Sequence, residues 1–203
     1  MTIMSLTVPV LSAGLSRIAA HMEGAAEALN TLDGQLGDGD LGVTMVRGSR
    51  EIKNVVPNLP ADLGMALMSC AQAFTRASGS SYGTLVATAM LSAAKATKGR
   101  TEVGWSEVPA LLKGALDAMM ARGKASLGEK TVLDVVDAAA KATGGQDDPA
   151  KMLAAAAAAV DATLERMRGM PAKVGRARIF ADRSVGLDDP GQVAFREMLR
   201  GLG

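Results

Sequence analysis

Three carboxylates stand within eight residues, Asp33, Asp38 and Asp40, and glycines interleave them at 34, 37, 39 and 42. A continuous helix would scatter the spacings i, i+5 and i+7 around its circumference. The chain must therefore turn back on itself here, and the glycines permit that because they reach backbone angles other residues avoid. Clustered aspartates repel one another unless something cationic lies between them. The hard cation that suits an all-oxygen set is Mg²⁺ or Ca²⁺, and Mg²⁺ completes its octahedron with water and substrate phosphates. A metal–nucleotide site is the leading reading. The same letters also spell an acidic turn whose aspartates cap the next helix. Two formal motif matches fail. Residues 37–42 fit G-x-G-x-x-G, but a helical stretch precedes them where that motif needs a strand. The calcium-loop template fails because Leu41-Gly42 follows Asp40.

The elements that must position this loop are helical. Nearly half of the 203 residues are apolar but only 2% are aromatic. Ala, Leu and Met carry the load, and they favour helix, whereas strands favour β-branched and aromatic residues. Residues 1–8 read as a loose lead-in to a single domain spanning 1–203. A first helix runs from Pro9 with Leu11, Leu15, Ile18, Met22, Ala25 and Leu29 on its apolar face. Further helices are predicted over 43–56, 62–76, 85–98, 106–123 (with Ser106 as N-cap), 131–141, 149–168 and from 190 onward. Asp148-Pro149 and Asp189-Pro190 both show the favoured cap-then-proline start. The expectation is an all-α bundle of eight antiparallel helices with no convincing strand, its alanine-rich faces letting helix axes approach closely.

In an up-and-down bundle, the connections after helices 1, 3, 5 and 7 share one end. Those connections are the acidic loop, the Ser/Gly loop 77–84, the turn 122–130 and the basic segment 171–188. The Ser/Gly loop offers hydroxyls, unhindered N–H groups and a following helix N-terminus, an anion-binding arrangement. It is also what a plain linker looks like. Arg176, Arg178 and Arg183 could meet phosphate oxygens, in the bidentate manner that suits arginine, or simply be solvated. Together these parts suit phosphoryl transfer, whose catalysis is mostly positioning and charge neutralisation.

Net charge of +1 argues against a nucleic-acid or membrane-surface protein. The lone cysteine, Cys70, excludes an internal disulfide and fits a reducing cytosol. The alanine run 154–159 is too short to span a bilayer. No signal peptide is evident, so a cytoplasmic location is expected. His21, the only histidine, falls mid-helix and reads as a surface or core-edge residue.

These motifs resemble a known family, the nucleotide-binding L subunit of dihydroxyacetone kinase and the equivalent C-terminal domain of single-chain dihydroxyacetone kinases. The likeness is carried by the acidic loop, by Ala77-Ser78-Gly79 with Tyr82-Gly83-Thr84, and by Arg122-Gly123-Lys124 with Gly128-Glu129-Lys130-Thr131 and Asp134. Gly175-Arg176-Ala177, Arg183-Ser184-Val185-Gly186 and Asp189-Pro190-Gly191 extend it, in matching order and spacing. The resemblance implies a barrel of eight antiparallel helices with ADP or ATP capping one end. Asp33, Asp38 and Asp40 would hold two Mg²⁺ ions. Leu41, Gly42, Val43 and Thr44 would lie under the phosphates, with Ala77 and Ser78 at the nucleotide. Gly123 and Val132 would line the base pocket, and Arg176 with Asp189-Pro190-Gly191 would close over it. The implied partner is a K-type subunit that holds the sugar, and the implied donor is free ATP or an M-type subunit of a phosphotransferase system.

Two positions depart from the family pattern. Leu41 and Thr44 stand where histidine and asparagine are common, which points to altered phosphate contacts. A kinase of another ketose, such as a tetrulose, is the first alternative, and a nucleotide-sensing partner of a transcription regulator is the second.

Overall fold

A computed structural model describes residues 5–203. Among them are eight α-helices: α1 (Val8–Leu36), α2 (Leu41–Val55), α3 (Leu63–Ala77), α4 (Ser81–Ala96), α5 (Val108–Gly123), α6 (Val132–Ala142), α7 (Pro149–Arg168) and α8 (Pro190–Arg200). Each helix packs on the next in sequence, and α8 returns to α1, so the bundle closes into a ring. Helix starts follow local chemistry. The side chains of Asp62, Ser80, Asp148 and Asp189 accept hydrogen bonds from the first-turn N–H groups of α3, α4, α7 and α8.

The interior is filled mainly by Leu, Met, Val and Ala, with Phe74 the largest fully buried side chain. Gly48 faces the Phe74 ring, and a β-carbon at Gly48 would overlap it. Gly42 likewise sits against the Ala26 carbonyl of α1, so α1 and α2 approach closely where the acidic loop joins them.

Several expectations need correction. The lead-in over residues 1–8 is not loose where it is described, although residues 1–4 lie outside the described part. Ser5–Thr7 forms a strand, β1, paired antiparallel with β2 (Glu102–Gly104), with Leu6 opposite Val103. So a strand pair exists after all. Three residues are too few to show a period of two, although Val103 is fully buried. Helix α4 begins at Ser81, four residues before the predicted start, because Ser80 caps it. Ser106 does not cap α5. It lies in a 3-10 turn (Trp105–Glu107), and the Glu107 carboxylate takes the Gly104 N–H instead. The basic segment contains two further 3-10 turns, Arg176–Phe180 and Asp182–Ser184. No helix among the described residues is long and apolar enough to cross a membrane.

Candidate functional site

The acidic loop is shorter than the sequence suggests, because α1 continues through Leu36 and carries Asp33 in its last turn. From there the Asp33 carboxylate accepts the N–H groups of Asp40 and Leu41, at 3.0 and 3.3 Å. Asn30, one turn earlier, accepts the Val43 N–H at 3.2 Å. The end of α1 thus caps the start of α2 through two side chains. Glycines make this corner feasible. A β-carbon at Gly37 would lie 2.6 Å from the Asp33 carboxylate, and Gly39 has φ +76°, where side chains are strained.

The result is a convergence of charge. One carboxylate oxygen from each of Asp33, Asp38 and Asp40 lies within 4.8 Å of the other two. Two unit charges 4 Å apart cost about 1 kcal/mol even in water, so this arrangement favours a cation. Arg176 supplies one, its guanidinium pairing with the Asp38 carboxylate. The donor set also fits Mg²⁺: all three ligands are hard oxygens, and oxygens on opposite sides of one Mg²⁺ stand about 4.1 Å apart.

These aspartates form the rim of a cavity of about 490 Å³ at the end of the barrel where the odd-numbered connections gather. The first residues of α2, α4, α6 and α8 all reach its lining: Leu41, Ser81 and Tyr82, Val132 and Leu133, and Pro190 and Gly191. Helix N-termini present unpaired N–H groups and a partial positive charge. Leu36, Leu85, Met119, Val132 and Leu133 add an apolar wall. The cavity therefore offers carboxylates on one side, helix starts around it and a hydrophobic surface for a flat group.

The floor joins α4 to α8. Tyr82 donates its hydroxyl to the Gly191 carbonyl at 3.1 Å, and burial together with the Asp189 charge pushes its ionisation far up. Asp189 caps α8 by accepting the Gln192 N–H at 2.9 Å. Burial raises its carboxyl to about 7, against the pull of that hydrogen bond and of the Lys130 ammonium. Asp134 accepts the N–H groups of Gly128 and Thr131, at 2.6 and 2.8 Å, and so shapes the turn into α6.

Of the residues singled out from sequence, Asp33, Asp38, Asp40, Leu41, Gly123, Val132, Arg176, Asp189, Pro190 and Gly191 line this one cavity. Gly42, Val43, Thr44, Ala77 and Ser78 stand outside the lining. Gly42 and Thr44 are buried against the bundle, and Val43 has its N–H taken by Asn30. Ala77 ends α3, and the buried Ser78 hydroxyl lies 3.1 Å from that of Ser80, which lines the cavity in its place. Ser80, Tyr82 and Asp134 stood inside motifs singled out from sequence but carried no role of their own there, and Leu36, Leu85, Met119 and Leu133 of the apolar wall were not anticipated. Thr131-x-x-Asp134 carried a usable signal, since a Thr followed three residues later by an acid marks a capping box. The apolar residues carried none, because in sequence they look the same as core positions. His21 sits at the α1–α8 seam with its Nε2 2.8 Å from Glu197.

Comparison with known proteins finds relatives along nearly the whole chain. A model of the DAK2 domain matches residues 35–203. The chain is 30% identical, over 98% of its length and 97% of the relative's, to the PEP-dependent dihydroxyacetone kinase, ADP-binding subunit DhaL, of Escherichia coli (strain K12). It is also 30% identical to L-erythrulose 1-kinase of Mycolicibacterium smegmatis, matching 97% of this chain but 37% of that protein. The dihydroxyacetone kinase from C. freundii, solved with AMP-PNP and Mg²⁺, shares the fold. Its TM-score is 0.75 at 24% identity, covering all of this chain and 34% of that one.

Proposed function

This chain belongs to the DAK2-domain family, and on that premise we propose that it is the ADP/ATP–Mg²⁺-binding subunit of a dihydroxyacetone-type kinase. The observation that carries the reading is the cavity itself, which sets three converging carboxylates against four helix starts and an apolar wall. Asp33, Asp38 and Asp40 would hold two Mg²⁺ ions, which when bound would neutralise charge on the nucleotide phosphates. The start of α4, where Ser81 and Tyr82 reach the cavity, orients the phosphates through backbone N–H groups. Leu85, Met119, Val132 and Leu133 take the flat base and exclude water from it. Arg176, paired with Asp38 here, would be free to meet phosphate oxygens with a metal on that carboxylate.

The phosphoryl acceptor comes from a second polypeptide, a K-type subunit docked over the cavity. Transfer needs an acceptor hydroxyl held in line and a group to take its proton. The only histidine stands twelve residues before Asp33 on α1, roughly 18 Å away at 1.5 Å per residue, and it is paired with Glu197. A cytoplasmic setting, and a phosphotransferase-system M-type protein or free ATP as donor, complete the proposal.

Titrating the purified chain with ADP and Mg²⁺ in a calorimeter tests the binding half. An ADP-release assay with ATP and dihydroxyacetone, with and without a K-type subunit, tests the division of labour. Turnover is expected only with the partner, and sugar-dependent turnover by the chain alone would overturn it. A tetrulose as the phosphorylated sugar is the second reading. It is favoured by the similarity to an erythrulose kinase and by Leu41, an apolar residue at the cavity edge. Comparing dihydroxyacetone with erythrulose in the same assay separates the two.

A further inference from the structure

The connection between α7 and α8 has a clamped base and an exposed tip. At the base, the Arg168 guanidinium forks onto the Asp188 carboxylate at 2.9 and 3.2 Å, and the Gly186 N–H donates to the Arg168 carbonyl at 2.8 Å. The Ser184 hydroxyl accepts the Ala172 N–H at 2.7 Å, which ties one limb of the loop to the other. The tip carries Arg176, which reaches the Asp38 carboxylate on the far rim of the cavity.

Lys130 stands beneath this base, just before α6. Its side chain is 1% exposed, an uncommon setting for a lysine. Its three N–H groups match three carbonyls: Met170 at 2.7 Å and Arg168 at 3.2 Å on the incoming limb, and Ser184 at 2.7 Å on the outgoing limb. Its backbone has φ +61°, a left-handed conformation that disfavours a side chain. A buried ammonium and a strained backbone both work against stability, so together they mark a position selected for placement. The neighbouring Glu129 carbonyl accepts the Lys173 N–H at 3.2 Å, which ties the loop to the same turn again.

We propose that Lys130 is a positioning residue for Arg176: its ammonium gathers both limbs of the 169–188 loop and so sets the tip where Arg176 meets the carboxylate rim. This inference rests on the proposed nucleotide site for its functional consequence. A merely structural lysine would lower thermal stability without any link to Arg176.

The experiment uses the full chain as Lys130→Met, Arg176→Ala and the double variant. ADP–Mg²⁺ affinity is read by calorimetry and loop exposure by the rate of trypsin cleavage after Arg176 and Arg178. Lys130→Met is expected to weaken ADP–Mg²⁺ binding about tenfold, on the scale of one charge-assisted hydrogen bond. Arg176→Ala is expected to do the same, and the double variant to be no weaker than either single one. Cleavage after Arg178 should speed up in Lys130→Met. Should Lys130→Met fail to fold, Lys130→Gln, which keeps two of the three donors, is read in the same way. Losses that multiply in the double variant, or unchanged affinity and cleavage in a folded Lys130 variant, would overturn the proposal. A wild-type chain that binds no ADP–Mg²⁺ would sink the nucleotide reading instead. Faster cleavage in the Lys130 variant would then still establish the positioning of the loop.

Discussion

The two ends of the barrel use the same residue types to opposite purposes. Where α2 and α4 finish, Asp62 gives one oxygen to the Met65 N–H at 2.9 Å and the other to the Gly99 N–H at 2.7 Å. Beside it the Arg100 guanidinium forks onto Glu107 at 2.8 Å on both oxygens, and Glu107 also takes the Gly104 N–H. The acids at this end face donors, and both titrate below their ordinary range. The Met65 N–H is the chief cause for Asp62, and Arg100 is for Glu107, which is held at about 2. At the other end, Asp33, Asp38 and Asp40 converge on one another, and the half-buried Asp189 is raised to about 7. One end spends its acids on holding the chain together. The other keeps them crowded and ready for a cation. Stability and binding should therefore respond separately to substitutions at the two ends.

The largest effect should come from the crowded end. Asp38→Asn or Asp40→Asn is expected to weaken ADP–Mg²⁺ binding by more than about a hundredfold, beyond what losing an outer partner of a metal ligand costs. Without metal, Asp40→Asn should melt no lower than wild type, since removing one of three like charges relieves repulsion. Wild-type affinity in either variant would remove the functional half of the contrast.

Next comes Gly37→Ala, whose β-carbon would press on the Asp33 carboxylate and spread the acidic set. Affinity should fall about tenfold. Gly79→Ala serves as the control on the neighbouring loop, because open space surrounds that position. Equal effects in both would mean that carboxylate spacing does not matter.

Titration sharpens the contrast further. The Asp189 carboxyl has a folded value of about 7, above its ordinary 3.8. The native state therefore holds the proton more tightly, and stability falls as pH rises between roughly 4 and 7. Asp189→Asn keeps a capping side chain and removes that titration. Its melting temperature should climb relative to wild type across this window, by about 5 °C, and stay level above it. A constant difference from pH 4 to 8 would contradict the assignment.

The smallest change is expected at the clasped end. Glu107 has its value depressed from 4.5 to about 2, so its stabilisation is complete above 4.5 and is lost as pH falls toward 2. Glu107→Gln should lower the melting temperature by about 2 °C at pH 7, the scale of an exposed ion pair. The two proteins should converge near pH 2, with ADP–Mg²⁺ affinity unchanged throughout.

Much of this architecture is legible in the chain. The cap-and-proline pairs at Asp148-Pro149 and Asp189-Pro190 mark their helices to the residue. The three aspartates mark the loop where carboxylates converge, and antiparallel alternation alone brings the four unusual loops to one end. Other features stay hidden for physical reasons. Asp33 belongs to α1 because the helix continues past Gly34, and a glycine's helix penalty is small against the packing of Leu32 and Leu36. The β1–β2 pair joins residues nearly a hundred positions apart and is too short for periodicity to reveal. Lys130 appears in the sequence only as one letter of a motif, because nothing near it foretells that three carbonyls will surround it.

By itself, then, the sequence determined the helices, the caps at Asp148 and Asp189, the acidic loop and the end of the bundle at which the chemistry-bearing loops meet. Each of these rests on contacts within a turn or two of chain, or on simple alternation of direction. Tertiary structure alone decided that Arg176 meets Asp38, that Lys130 gathers the loop carrying Arg176, and that Tyr82 closes the cavity floor against Gly191. It also closed the ring, through the seam where His21 on α1 pairs with Glu197 on α8. Those pairings join residues far apart in sequence, and they form only when the whole ring packs. No local spacing encodes them, because their partners are chosen by which helix faces the burial of Leu, Met and Ala turns toward one another.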